Sequence, residues 1–374
     1  MPVFQIAGPG KVTPQREKLH RRPSDLVASY NTCQGEGNGA MRRSDHDVTN
    51  TIRTTDLKQV AGEVMRVFNG LYDGKSSGRK GAPAGSAGSP SAAIKRAFDD
   101  VGQLYSGEHP EYLPCDTEYH DIQHVLDVTL AMTRLMDGYE RSRNGSAPLP
   151  AACFSLGVVT ALYHDFGYLR RRRDRRHRYG AEYTLTHVTR GSRHLHRYLP
   201  RIGLRRYANA GATIVHYTGY ERRAETIPLN NTLLRRVGHM LGTADIIAQM
   251  ADRCYLEKCR DRLYPEFVLG GLTKRKLPGG RTQVLFTSGD DLVRKTPGFY
   301  MNAAKRLDLQ LARAYEYAER HFKGQNLYLE EMQKNVRYAK AVGDAPISID
   351  MLRRTPPSTL NEGVEPYPKD IVIR

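Results

Sequence analysis

Residues 118–136 read EYHDIQHVLDVTLAMTRLM, and the spacing within this stretch decides the fold class. His120, His124, Val128, Ala131 and Leu135 recur at intervals of three and four, so a helix over Glu118–Met136 carries both imidazoles on the stripe it turns toward the core. A buried imidazole without a partner is costly. Two further apolar segments carry titratable groups in the same way. AACFSLGVVTALYHD, residues 151–165, is apolar nearly all round and reads as a central buried helix ending at His164-Asp165. Later, Leu241, Ala244, Asp245, Ala248 and Ala251 place a carboxylate in the apolar face of a third helix.

A bound metal ion would offset these burial costs. Neutral imidazoles and carboxylates converging from several elements, with positions left open for water and substrate, are what a hydrolytic metal site requires. His120 and His124 stand one turn apart and point the same way. His164 and Asp165 diverge by about 100° on a regular helix, yet at a helix end both can reach one ion. Asp245 supplies oxygen from a third direction. Each motif alone is weak, because His-Asp occurs three times, at His46, His120 and His164. The first lies in a polar segment without apolar support and reads as chance.

Outward from these segments, the helical period dominates from Ala93, and the expected fold is an all-α bundle over residues 93–345. Ala304, Leu307, Leu311, Ala314, Ala318 and Phe322 predict one long C-terminal helix. TQVLFTS, residues 282–288, follows Gly279-Gly280 and predicts a small loop or hairpin excursion. Residues 1–92 read as a flexible basic arm holding one short amphipathic helix through Leu57, Val60, Val64, Phe68 and Leu71. A Gly/Ser/Pro linker from Lys75 to Ser91 ends that arm. The tail, residues 346–374, is Pro-rich and expected to be loose.

Charge is asymmetric: 57 Lys+Arg against 40 Asp+Glu give +17, which favours anionic partners without choosing among them. The five cysteines are odd in number and form no C-x-x-C pair, which indicates neither a disulfide framework nor a thiolate zinc site. No apolar run approaches the roughly 20 residues of a membrane span. A cytoplasmic, soluble protein is expected.

The order Tyr119-His120 with His124, His164-Asp165 after an apolar run, then Ala244-Asp245 resembles the HD-domain metal-dependent phosphohydrolases. Within them it is similar to the 3′,5′-cyclic-nucleotide phosphodiesterase branch, over roughly residues 93–267. The resemblance implies an HD-domain helical bundle in which His124, His164, Asp165 and Asp245 bind a first metal, commonly zinc. It further implies that Asp165 bridges to a second ion, magnesium or manganese, and that His120 is the general acid acting on an anionic nucleotide of cyclic AMP or GMP type. Three positions depart from the pattern: Asp121 replaces the usual Asn, Tyr168 stands where a histidine is common, and Gln249 is too near the metal helix to be the purine-gripping glutamine. Without a GYP triplet the HD-GYP group is disfavoured.

The alternative within enzymes is a nucleotidase-like HD phosphohydrolase. Outside them it is a non-catalytic nucleic-acid-binding or regulatory HD protein, motivated by the net charge and by RRRRDRRHR at Arg170–Arg178. That run reads equally as a solvated face or as phosphate capture. His216 is expected to be a satisfied half-buried histidine, His177 and Glu182 ordinary surface, and the Tyr and Arg residues from Tyr198 to Tyr220 packing and edge.

Overall fold

The computed structural model describes residues 41–73, 89–143, 145–344, 349–368 and 371, and over them the chain is all-α apart from one short hairpin. Helix α1, Leu57–Tyr72, begins at Asp56, whose carboxylate caps the Lys58 and Gln59 amides. Helix α2, Pro90–Ser106, has Ser89 as its cap, Pro90 at its first position and left-handed Gly107 at its end. Helices α3, Ile122–Arg141, and α4, Ala151–Leu162, follow, then α5, His187–Tyr198, α6, Ala208–Ile214, and α7, Thr232–Ala251. A short helix α8, Tyr255–Lys258, runs through a π-helical turn, Cys259–Leu263, into α9, Tyr264–Leu269. Strands β1, Lys274–Lys276, and β2, Thr282–Val284, pair antiparallel, as the sequence predicts. Gly279 and Gly280 supply the positive φ their turn needs. Helices α10, Gly289–Leu309, α11, Tyr317–Phe322, and α12, Leu327–Asp344, complete the bundle.

Helix α3 is the axis, touching α1, α4, α7 and α11. Almost all of it from Gln123 to Tyr139 is buried, so it is enclosed rather than laid along one face. Enclosure traps Arg134, only 2% exposed, which donates to Asp47 Oδ2 at 2.5 Å and to the Tyr328 hydroxyl at 3.0 Å.

Four expectations change here. The helix of residues 118–136 starts at Ile122, because Asp121 adopts extended backbone and caps the His124 amide. The single long C-terminal helix is two, α10 and α11, since Ala312 and Arg313 take left-handed φ of 50° and 55° and end the helical path between them. The folded unit does not begin at Ala93: Val60 and Val64 of α1 are fully buried in the same core, and His46-Asp47, which reads as chance in the sequence, is a buried pair. Residues 349–368 of the tail lie against the body, with Leu352 and Tyr367 buried. Asn361 Nδ2 donates to the Tyr105 carbonyl there, and the Tyr367 amide donates to Glu118 Oε1. These bonds join single groups far apart in the chain, and leave no period in sequence. The remaining arm, residues 1–40, and the linker up to Gly88 lie outside the described residues.

Candidate metal centre

Three chain segments meet at the top of the bundle, and each positions its donor by a local backbone device. At the start of α3, Asp121 Oδ1 accepts the His124 amide at 2.9 Å and its Oδ2 accepts the Thr359 hydroxyl at 2.5 Å. This cap sets the first turn, and hence His124, against α4 and α7. At the end of α4 the chain leaves the helix at Tyr163 and turns through a 3₁₀ segment, Phe166–Tyr168. His164 Nδ1 lies 2.7 Å from the Ala161 carbonyl oxygen; a carbonyl only accepts, so Nδ1 carries the proton and Nε2 presents a lone pair. Asp245 comes from the middle of α7.

Their donor atoms converge. His124 Nε2 is 3.2 Å from His164 Nε2, 3.4 Å from Asp165 Oδ2 and 3.4 Å from Asp245 Oδ1. His164 Nε2 is 3.1 Å from Asp165 Oδ2 and 3.9 Å from Asp245 Oδ1. Four ligands about 2.1 Å from a common ion stand about 3.0–3.5 Å apart at adjacent octahedral or tetrahedral positions. Three of the four, His124, His164 and Asp165, are buried with ligand atoms within 4.8 Å of one another. Asp165 Oδ2 is buried with no hydrogen-bond partner, a costly state for a carboxylate oxygen unless a cation faces it. The donor set therefore fits a divalent metal.

Electrostatics agree on sign. Burial alone would lower the imidazole pKa, but the Asp165 and Asp245 carboxylates outweigh it and raise His124 to about 10. They raise His164 as well. Burial pushes Asp165 up, yet the neighbouring histidines hold it well below the usual carboxylate range. The cluster attracts positive charge, whether a proton or a metal ion.

His120 precedes the helix, at the mouth of the same cleft. Its Nδ1 lies 2.5 Å from Glu266 Oε2, and Glu266, fully buried on α9, also accepts the Tyr119 amide at 2.7 Å. The pair fixes the ring and leaves Nε2 for the cleft. Tyr168 stacks on His120 at 4.4 Å and on His187 at 4.5 Å, and the two imidazoles lie 6.4 Å apart. His187 Nδ1 lies 2.6 Å from the Thr184 carbonyl oxygen and its Nε2 is 3.8 Å from Asp165 Oδ1. Burial lowers the His187 pKa. Apolar side chains, among them Leu263, Phe267, Leu272 and Phe299, wall the other side of the cleft, a surface suited to a flat ring system.

No protein family and no curated protein sequence matches the chain. Among solved structures it is similar to the phosphodiesterase domain of the RhoPDE fusion protein from the choanoflagellate Salpingoeca rosetta. That likeness has a TM-score of 0.44 and 12% identity, covering 86% of this chain and 98% of that chain. The reading of the site rests on its donor geometry instead.

The other residues singled out in sequence divide cleanly. His216 pairs through Nδ1 with Glu221 Oε1 at 3.0 Å, and Glu221 itself lines the cleft. His177 is held by Asp174, and Glu182 accepts the Arg178 and Tyr179 amides of its own turn. Arg170 donates to Asp116, Arg172 donates to the Gly107 carbonyl, and none of the run Arg170–Arg178 lines the cleft. Tyr198 and Tyr217 are core, whereas Tyr220 lines the cleft beneath the Arg306 guanidinium. Gln249 accepts the Tyr119 hydroxyl at 3.1 Å and also lines it. Glu221, Glu266 and His187 escaped the sequence reading. Glu266 left one signal, a lone carboxylate in the apolar YPEFVL; His187, at the head of a strongly basic helix, left none.

Proposed function

We propose that this protein is an HD-type, divalent-metal-dependent phosphodiesterase, hydrolysing a phosphoester of a cyclic nucleotide of the 3′,5′-cyclic AMP or GMP class. The observation that carries the reading is the convergence of His124, His164, Asp165 and Asp245 around an unpartnered Asp165 oxygen, in the same cleft as His120. In this reading those four side chains would hold the first ion, zinc, and Asp165 would also serve a second. Divalent ions in such a site polarise phosphate oxygens and lower the pKa of bound water. Water would add to phosphorus as the P–O bond to the ribose breaks, and His120, with a proton on Nε2, would deliver it to the departing ribose oxygen. Glu266 is a positioning residue: its bond to Nδ1 keeps Nε2 aimed into the cleft. The apolar wall excludes water from the far side and takes the base, while Thr218 supplies a polar edge.

Hydrolysis of a panel of cyclic mononucleotides, linear nucleotides and cyclic dinucleotides by purified protein, with and without added metal, tests the substrate class. Metal-dependent release from cyclic mononucleotides is expected. Release from nucleoside monophosphates alone would move the reading to a nucleotidase. Roles are separable: His120→Ala should keep its metal and lose about 10²–10⁴-fold in kcat, whereas Asp165→Ala should lose metal. Metal loss in the His120 variant would show that its role has been misassigned.

A further inference from the structure

Asp165 has nitrogen donors on both sides. Its Oδ2 faces His164 and His124 at 3.1 and 3.4 Å; its Oδ1 faces His187 Nε2 at 3.8 Å. The His187 ring cannot turn a proton toward that oxygen while neutral, because Nδ1 is bonded to the Thr184 carbonyl and must carry the hydrogen. A lone pair therefore opposes a carboxylate oxygen, an arrangement that needs a positive species between them. The separation is one that two ligands about 2.1 Å from one ion can take.

The ring is also held in place. Tyr168 stacks on it at 4.5 Å with the planes 20° apart, and the His187 backbone packs directly on Gly167, where a Cβ would collide with it. Glu221 lines the same cleft and is itself steadied by His216. A rigid imidazole, a shared carboxylate oxygen and a further carboxylate thus border one space beside the first donor cluster.

We infer that His187 Nε2 is a protein ligand to a second divalent cation held on the Oδ1 side of Asp165, with Glu221 bordering the site. This rests on the proposed metal centre. The ligand chemistry narrows the ion: an imidazole with carboxylates suits manganese, iron or zinc, whereas magnesium prefers oxygen donors and retained water. The second site should then favour Mn²⁺ over Mg²⁺ more strongly than an all-oxygen site would.

Metal stoichiometry of the full chain, stripped of resident zinc by a chelator, loaded with Mn²⁺, desalted and counted over all metals by plasma mass spectrometry, tests this. Wild-type protein should hold two ions per chain and show the spin-coupled spectrum of a Mn²⁺ pair. His187→Ala and His187→Gln, each checked for native circular dichroism, should hold one ion and show an uncoupled spectrum. Two coupled ions in both variants, or one ion in the wild type, would overturn the role of His187 while leaving the first centre standing. No bound metal in the wild type would overturn the metal-centre reading itself, and this inference with it.

Discussion

At the scale of single residues, the site depends on groups that differ in how visibly they announce themselves. His120, His124, His164, Asp165 and Asp245 are conspicuous because each interrupts an apolar periodic segment, and their types and order were readable. The partners that aim them were not, because Glu266 and His187 reach the site through tertiary contact, 146 residues from His120 in the first case. Asp121 illustrates the same limit: extended backbone at that position makes it a helix cap, a role that no period in the sequence marks. Gly167 has a sharper consequence. It sits in HDFGY with His187 pressed on its α-carbon, so Gly167→Ala must push the start of α5 away from Asp165. A loss of about 1–3 kcal/mol of stability is expected from the overpacking, together with weaker retention of the second ion. Denaturant titration and metal stoichiometry check it; unchanged stoichiometry would mean that the approach of His187 to Asp165 does not govern binding.

At the scale of elements, the hidden feature is the bond between the segment before α1 and the central helix. Arg134 lies within the apolar stretch of α3, and sequence periodicity gives no reason for it. Its partner is Asp47, which also accepts the Thr51 and Ile52 amides, so a His-Asp pair that read as chance anchors residues 41–56 to the core. Asp47→Ala leaves a buried guanidinium without its counter-charge and should cost about 3–5 kcal/mol. The pH dependence follows. Burial pushes the Asp47 carboxyl up, but the Arg134 charge and the Ile52 amide hold it below its ordinary value. A depressed folded pKa means the stabilisation is fully present above the unfolded value of about 3.9 and is lost as pH falls through the folded pKa. Urea midpoints measured between pH 6 and 2 should therefore fall more steeply in the wild type than in Asp47→Asn. Parallel curves would show that the pair contributes no acid sensitivity.

At the scale of the whole molecule, the all-α class and the hairpin were legible because they are written in local periods and turn residues. The extent of the folded unit was not, because α1 looks separable until its valines are seen in the shared core and the tail until Tyr367 is seen against Glu118. Charge is the remaining global property. From Arg96 to Glu257 the chain contains arginine and no lysine, and Arg171, Arg172, Arg173, Arg175 and Arg176 are exposed beside the cleft-forming turn rather than within it. Such a field acts on an anionic substrate before contact, through encounter rather than through bonds in the bound state. For an anionic nucleotide, kcat/KM should therefore decline as ionic strength rises from about 0.01 to 0.15 M, over which the screening length shortens from about 30 to about 8 Å. At saturating substrate kcat should stay level. Arg175→Gln combined with Arg176→Gln should flatten that decline without changing kcat. If kcat itself follows the salt, the charges act on the bound state and not on approach.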